Sequence, residues 1–384
     1  MTMPPLSADQ VSQSEVTTRV NKVREGMEKA GLSAYVSFDP DNIYYLTNFA
    51  NFVHERPFIL VITYADVFFI IPRLEKEHVQ RHQVGNPTLR DYAEFPAVAG
   101  SRWSDRLQDV LPAEGLVGVE GACPAWLRAA VTNPTQIINI IDKIREIKSP
   151  HEIARIAWTS DVMTKALGLM LEELKSGVLV AHAIAGVTPY FYQRCLAEVS
   201  NYNVMSSRAA GLIQPPGYTD DPHNFSCLTA PCLPGGPFLA LIAGKLNGYG
   251  AEIERTVFLE HIPEQAMRPF DTMMEMRYKT YEMLKPGAIG SEIDAACQTI
   301  AHKAGYATPL HRTGHSFGVT GHEAPFLAIG EDNVIQPGML FSVEPGIYIA
   351  GQNGYRHSDT VLVTETGYEI LTKFPDSKEN LIIT

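Results

Sequence analysis

Asn247-Gly248-Tyr249-Gly250-Ala251-Glu252-Ile253-Glu254-Arg255-Thr256-Val257-Phe258-Leu259 opens on a turn dipeptide and closes on an apolar run. Asn-Gly between two strand-like segments marks a hairpin, here from Phe238 through Asn247-Gly248 to Leu259. Side chains alternate faces along a strand, so Glu252, Glu254 and Thr256 share one face. Carboxylates on a strand are exposed and solvated, paired with a neighbour such as Arg255 or a cross-strand lysine, or functional.

Outward from this hairpin the chain alternates pattern. Downstream, helices are expected near Pro263–Leu284 and Ser291–Ala304, then strands including Met339–Ile349 and Thr360–Thr364. Upstream, strand-rich material begins near Val204, after helices near 150–175 and 180–198. Lys148-Ser149-Pro150-His151-Glu152 is the best boundary: Ser149 suits an N-cap, Pro150 the first helical position and Glu152 the capping box. Before it, Val16–Ala30 reads as an amphipathic helix ended by Gly31, Ser33–Phe38 as a strand, and 58–71 as a hairpin around Ala65-Asp66. The expected fold is an α/β N-terminal domain, residues 1–148, followed by an α+β domain, residues 149–384.

The bulk numbers agree with two domains, since 384 residues exceed what one core usually holds. Formal charge is −12, from 31 basic and 43 acidic residues, which argues against nucleic acid or anionic membranes as partners. Cys123, Cys195, Cys227, Cys232 and Cys297 are scattered and match no zinc-ribbon spacing, so reduced thiols are expected. Met1–Gln10 has no apolar signal-peptide core, and Asp66 interrupts the longest apolar stretch, Phe58–Ile71. A soluble cytoplasmic protein acting on a small molecule is the expectation.

Four segments carry chemistry: Asp220-Asp221-Pro222-His223-Asn224, the Glu252/Glu254 strand, Thr313-Gly314-His315-Ser316-Phe317-Gly318, and Phe341-Ser342-Val343-Glu344-Pro345-Gly346. Glu344 ends an apolar strand, where a buried carboxylate requires a partner. Taken singly, His223 reads equally well as a surface residue and His315 as a tight-turn residue.

In order, Lys148-Ser149-Pro150, NGYGAEIERTVFL (247–259), GHSFG (314–318), HEAP (322–325), PGMLFSVEPGIY (337–348) and GYRHSDTVLVTETG (354–367) resemble the pita-bread family of prolidase, aminopeptidase P, methionine aminopeptidase and creatinase. The resemblance runs the length of the chain and implies an N-terminal α/β domain, a pita-bread C-terminal domain and a homodimer. In the family's metallopeptidases two aspartates, a histidine and two glutamates hold two ions. Those positions fall on Leu241, Glu252, His315, Glu344 and Ser358. Leucine cannot ligate and serine replaces a carboxylate, so the resemblance implies no resident cofactor. A single weakly held divalent ion would use Glu252, His315 and Glu344.

The chain is also similar to creatinase, the branch that works without metal. That likeness implies catalytic roles for His223, Glu254, Glu344 and His315, with Glu252 and Ser358 beside the substrate. Arg56 would reach across the dimer to hold a carboxylate, and Phe326 stands where creatinase has a second carboxylate-binding arginine. The expected activity is metal-independent C–N hydrolysis of a small amidino, guanidino or cyclic amidine acid, with His223 as general base and acid. The alternatives are an Xaa-Pro dipeptidase or aminopeptidase-type metallopeptidase, an ectoine-hydrolase-like enzyme, or a catalytically silent binding protein.

Overall fold

The structure, a computed structural model, describes residues 10–50, 55–94, 96–200 and 202–384, so the segment Met1–Gln10 lies outside it but for Gln10. The described chain divides between Arg145 and Glu146 into two compact units.

In the N-terminal unit, strands β1 (Ala34–Ser37), β2 (Ile59–Thr63), β3 (Val67–Pro72), β4 (Thr88–Tyr92), β5 (Val117–Val119) and β6 (Thr135–Ile137) form one sheet in the order β4-β3-β2-β1-β5-β6. β1, β2 and β3 pair antiparallel, whereas β3–β4, β1–β5 and β5–β6 are parallel. The expected hairpin is β2–β3, closed where Thr63 N donates to Asp66 O at 2.9 Å. The Gln13–Lys29 helix is capped by Ser12 and buries Val16, Val20, Val23 and Met27 at helical spacing.

The C-terminal unit is built on a nine-stranded sheet: β7 (Arg208–Gln214), β8 (Gly235–Leu246), β9 (Tyr249–Leu259), β10 (Gly314–Ser316), β11 (Glu323–Leu327), β12 (Leu340–Val343), β15 (Ser358–Val363), β16 (Tyr368–Ile370) and β17 (Ile382–Ile383). Its main path runs β11-β10-β12-β15-β9-β8-β7. β13 (Gly346–Ile349) and β14 (Asn353–Arg356) form a separate ribbon. The β8–β9 turn holds Asn247 at φ 45° and Gly248 at φ 96°, the paired positive values of a two-residue hairpin loop. The Pro150–Glu172 helix starts on the Ser149/Glu152 capping box and packs against β8 and β9.

Two expected elements are broken. The helix near 180–198 is two, Val180–Ile184 and Val187–Glu198, interrupted at Ala185-Gly186, where glycine weakens helix propagation. The strand expected over Met339–Ile349 is β12 and β13. Pro345 has no N–H for the ladder, so β12 ends and leaves Glu344 at the sheet's edge of chemistry rather than inside a strand. All five cysteines are free. Among the described residues no helix is long and apolar enough to cross a membrane.

Candidate functional site

Glu252 on β9, His315 on β10 and Glu344 just past β12 converge, their ligand atoms all within 4.8 Å of one another. The convergence has a local cause. A Cβ at Gly314 would lie 2.2 Å from Ser342 O, so only glycine lets β10 lie this close to β12. Glu344 N then donates to Thr313 O at 2.9 Å, which fixes the glutamate beside the histidine.

His315 is fully buried, and its Nδ1 bonds Ser316 O at 3.0 Å. That contact places the proton on Nδ1 and leaves Nε2 as a lone-pair donor. Nε2 has no hydrogen-bond partner among the described residues, yet it lies 3.5 Å from Glu252 Oε1 and 3.4 Å from Glu344 Oε1. Ligands about 2.1 Å from a common ion, at near-tetrahedral angles, sit about 3.4 Å apart. The three donors therefore fit one divalent ion.

Among the described residues a second ion has no such set. Leu241 lies on β8 opposite Glu254, and Ser358 is buried with its hydroxyl committed to Glu252 Oε1 at 3.2 Å and Ser342 Oγ at 2.9 Å. Ser358 thus braces Glu252, one of the three convergent donors.

Burial raises Glu344, and the Glu252 charge adds to it, pushing its pKa up to about 7. Burial alone would raise Glu252 too, but attraction to His315 holds it well below the usual carboxylate range. Burial would lower His315, and the two carboxylates outweigh it, so its pKa is raised. The ion-free cluster therefore carries protons at neutral pH that an ion must displace. Protons released per ion are expected to fall between about pH 6 and pH 8 while affinity rises. Calorimetry in buffers of different ionisation enthalpy checks this; release that is constant across the range would contradict it.

Glu254 differs from its expected role. It is 1% exposed and forms a two-pronged ion pair with Arg356, one prong from Nη2 to Oε1 at 3.0 Å and the other from Nε. Arg356 Nη1 also donates to Tyr348 OH at 3.0 Å, and that hydroxyl meets His311 Nε2 at 2.8 Å. With Arg356 on both carboxylate oxygens, Glu254 holds that guanidinium in place.

Two histidines escaped the sequence reading. His322, in the HEAP motif, packs its ring 4.1 Å from the His315 ring. Lost water contact lowers its pKa, and the His315 charge lowers it further. His311 is pulled down to about 4, first by burial and then by Arg356. Both are neutral imidazoles at physiological pH. His223 lies exposed on its loop, near enough for its charge to reach His311 and His322, and its ring makes no hydrogen bond among the described residues.

Phe326, expected to leave the site one arginine short, pairs with His315 across β10–β11 and carries the Arg312 guanidinium over its ring, Cζ 4.5 Å from the centroid. Arg56 belongs to the N-terminal unit, where Glu94 and Glu55 hold it, the latter at 3.3 Å.

Comparison with known proteins gives the relationships. The Xaa-Pro dipeptidase of Pyrococcus furiosus is 24% identical over 363 residues, covering 92% of this chain and 97% of the relative. That of Lactobacillus helveticus is 28% identical over 353 residues, covering 88% and 92%. The crystal structure of the prolidase from Pyrococcus horikoshii superposes with a TM-score of 0.80 at 22% identity, over 94% of this chain and 99% of that one. Fold class follows: an α/β N-terminal domain and a pita-bread C-terminal domain. The Creatinase/Prolidase N-terminal domain matches residues 19–147, and metallopeptidase family M24 matches residues 157–365.

These findings overturn two expectations. Metal-independent, creatinase-like hydrolysis of amidino or guanidino acids gives way, because the matching family is one of metallopeptidases and the curated relatives are dipeptidases. The expectation of no cofactor falls with it: losing ligands at Leu241 and Ser358 removes one ion's donors, not the convergent set at Glu252, His315 and Glu344. Matched over residues 157–365, more than half its length, the chain belongs to metallopeptidase family M24.

Proposed function

We propose that this chain is a metal-dependent peptidase that hydrolyses small Xaa-Pro peptides. The observation that carries the reading is His315 Nε2, buried and unbonded among the described residues, at 3.5 and 3.4 Å from two carboxylates. A buried imidazole nitrogen left without a hydrogen bond is costly, and a divalent ion satisfies it together with both charges. The relatives' activity supports the choice of substrate class.

A divalent ion, when bound, supplies Lewis-acid polarisation of a peptide carbonyl. The chain's own residues do the rest. His322, neutral and packed edge-on against the His315 ring, is placed to accept a proton from attacking water and return it to the departing nitrogen. The role first given to His223 thus passes to His322, and His223 stays on its exposed loop. His311, Tyr348 and Arg356 form a rigid polar wall, because each is already hydrogen-bonded to the next.

The test is turnover of Xaa-Pro dipeptides by the purified chain after chelation and after return of Mn²⁺, Zn²⁺ or Co²⁺. Activity is expected to vanish with chelator and to return with about one ion per subunit. Full activity in the metal-free protein, or cleavage of no dipeptide with any ion, would overturn the reading.

A further inference from the structure

The ladder between β10 and β11 slips at the site. His315 faces Phe326, whereas the next residue, Ser316, faces Glu323, so three steps along β11 answer one along β10. Such a bulge re-aims side chains and loosens the pairing around it. One flank carries His315, and the other carries Glu323 directly after His322. A single cation bridges the slip. Lys148 Nζ donates to Ser316 Oγ and to Glu323 Oε1, both at 2.9 Å, and lies 3.5 Å from Glu146 O. The lysine side chain is fully buried, and that of Glu323 is 11% exposed. Its main chain is fixed as well: Lys148 N donates to Gly338 O at 2.9 Å, and the next residue, Ser149, caps the Pro150–Glu172 helix.

Taking a lysine and a glutamate out of water costs about what their attraction returns, and apolar residues of similar volume hold a core as well. Stability alone therefore does not account for a charged bridge here. Position does. Ser316 O accepts from His315 Nδ1 at 3.0 Å, so the residue that Lys148 grips by its hydroxyl also fixes the ligand's tautomer by its carbonyl. Partners of this kind set the orientation and basicity of a metal-binding histidine. Glu323, gripped at the other end, anchors the backbone beside His322, whose ring lies 4.1 Å from that of His315. We infer that Lys148 is a positioning residue, which clamps Ser316 to Glu323 across the slipped ladder and so holds the His315 and His322 rings in place for one divalent ion. The inference rests on the metal-dependent reading for what the histidines do, while the clamp stands on its own distances.

The experiment is Mn²⁺ titration calorimetry on the full chain, with urea unfolding alongside, for wild type, K148M, K148M/E323L, K148M/E323Q, S316A and S316A combined with K148M/E323L. K148M leaves the Glu323 carboxylate without its lysine, so it is expected to lose both stability and ion affinity. Neutralising position 323 should return the urea midpoint toward wild type, yet Mn²⁺ should still bind about 10- to 100-fold more weakly than to wild type. A merely structural role would return affinity and stability together. S316A should weaken Mn²⁺ binding by itself and add nothing to K148M/E323L, because that link is already cut. The glutamine pairing guards against a misfit of leucine. Wild-type Mn²⁺ affinity in both neutralised pairs, or losses that simply add when S316A is combined, would overturn the assignment. A wild type that binds Mn²⁺, and weakens as expected in these variants, yet cleaves no Xaa-Pro dipeptide would sink the peptidase reading alone.

Discussion

Replacing His315 by alanine is expected to weaken divalent-ion binding by more than about 100-fold and to remove measurable turnover, while the fold persists. Outer-shell partners of metal ligands already cost about 10- to 100-fold, so loss of a ligand exceeds that range. The ligand in question is the buried centre of the cluster, with Glu252 and Glu344 on either side. Removing it leaves two carboxylates facing each other across a small void, and that repulsion raises their proton affinity and further opposes the ion. Isothermal titration with Mn²⁺ and Zn²⁺ reads the affinity, and circular dichroism reads the fold. An H315A chain that binds an ion as tightly as wild type would move the metal site elsewhere. H315Q, which keeps a polar group but no imidazole nitrogen, should resemble H315A in ion binding and be milder in stability.

Asp359→Ala is the second large effect, expected on stability rather than chemistry: a loss of about 3–5 kcal/mol. Asp359 is fully buried and receives Arg255 Nη2 at 2.9 Å and Arg277 Nη2 at 2.6 Å, with Tyr281 OH at 3.1 Å and Thr372 Oγ1 at 3.0 Å completing its lone pairs. Both arginines are themselves buried, so removing the carboxylate leaves the Arg255 cation without its carboxylate partner and Arg277 with Asp376 alone. Burial would raise the Asp359 pKa, but the two arginines outweigh it and hold it below the usual value. A depressed folded-state pKa gives stability that is present above the unfolded-state value and lost as pH falls through the folded one. Asp359→Ala should therefore unfold at lower urea than wild type at neutral pH, and the gap should narrow in acid. A urea midpoint equal to wild type at neutral pH would show that the network contributes nothing net.

Elements governed by neighbouring residues were legible in the sequence. Asn247-Gly248 reads directly as a hairpin turn, and Ser149-Pro150 with Glu152 as a helix start, because each is decided within a few residues of backbone. Glu344 was legible as a buried carboxylate needing a partner, and the structure supplies His315. The Glu254–Arg356 pair was not legible, because β9 and the end of β14 are about a hundred residues apart and meet only in the folded sheet. Arg312 was hidden for the same reason: the cation and its aromatic seat lie on different segments, so Phe326 read alone looked like a lost charge. His322 carried a signal, its place in HEAP directly after GHSFG, that motif subtraction passed over. The metal reading failed on a physical assumption, that a site missing two ligands is no site. Each ion answers to its own few donors, and three of them remain.

Ser358 and Asp359 are neighbours on β15, and alternation turns them to opposite faces: one toward Glu252 and Ser342, the other toward Arg255 and Arg277. Selection therefore meets them as separate traits. A lineage that exchanges the side chain at 358, or its counterpart at 241, alters how many ions the protein carries without disturbing the ionic keel behind the sheet. The reverse exchange, at 359, would lose the fold before it touched the chemistry. In this architecture metal stoichiometry is free to drift while the scaffold is not, so neighbouring positions of one strand are expected to tolerate mutation to very different degrees.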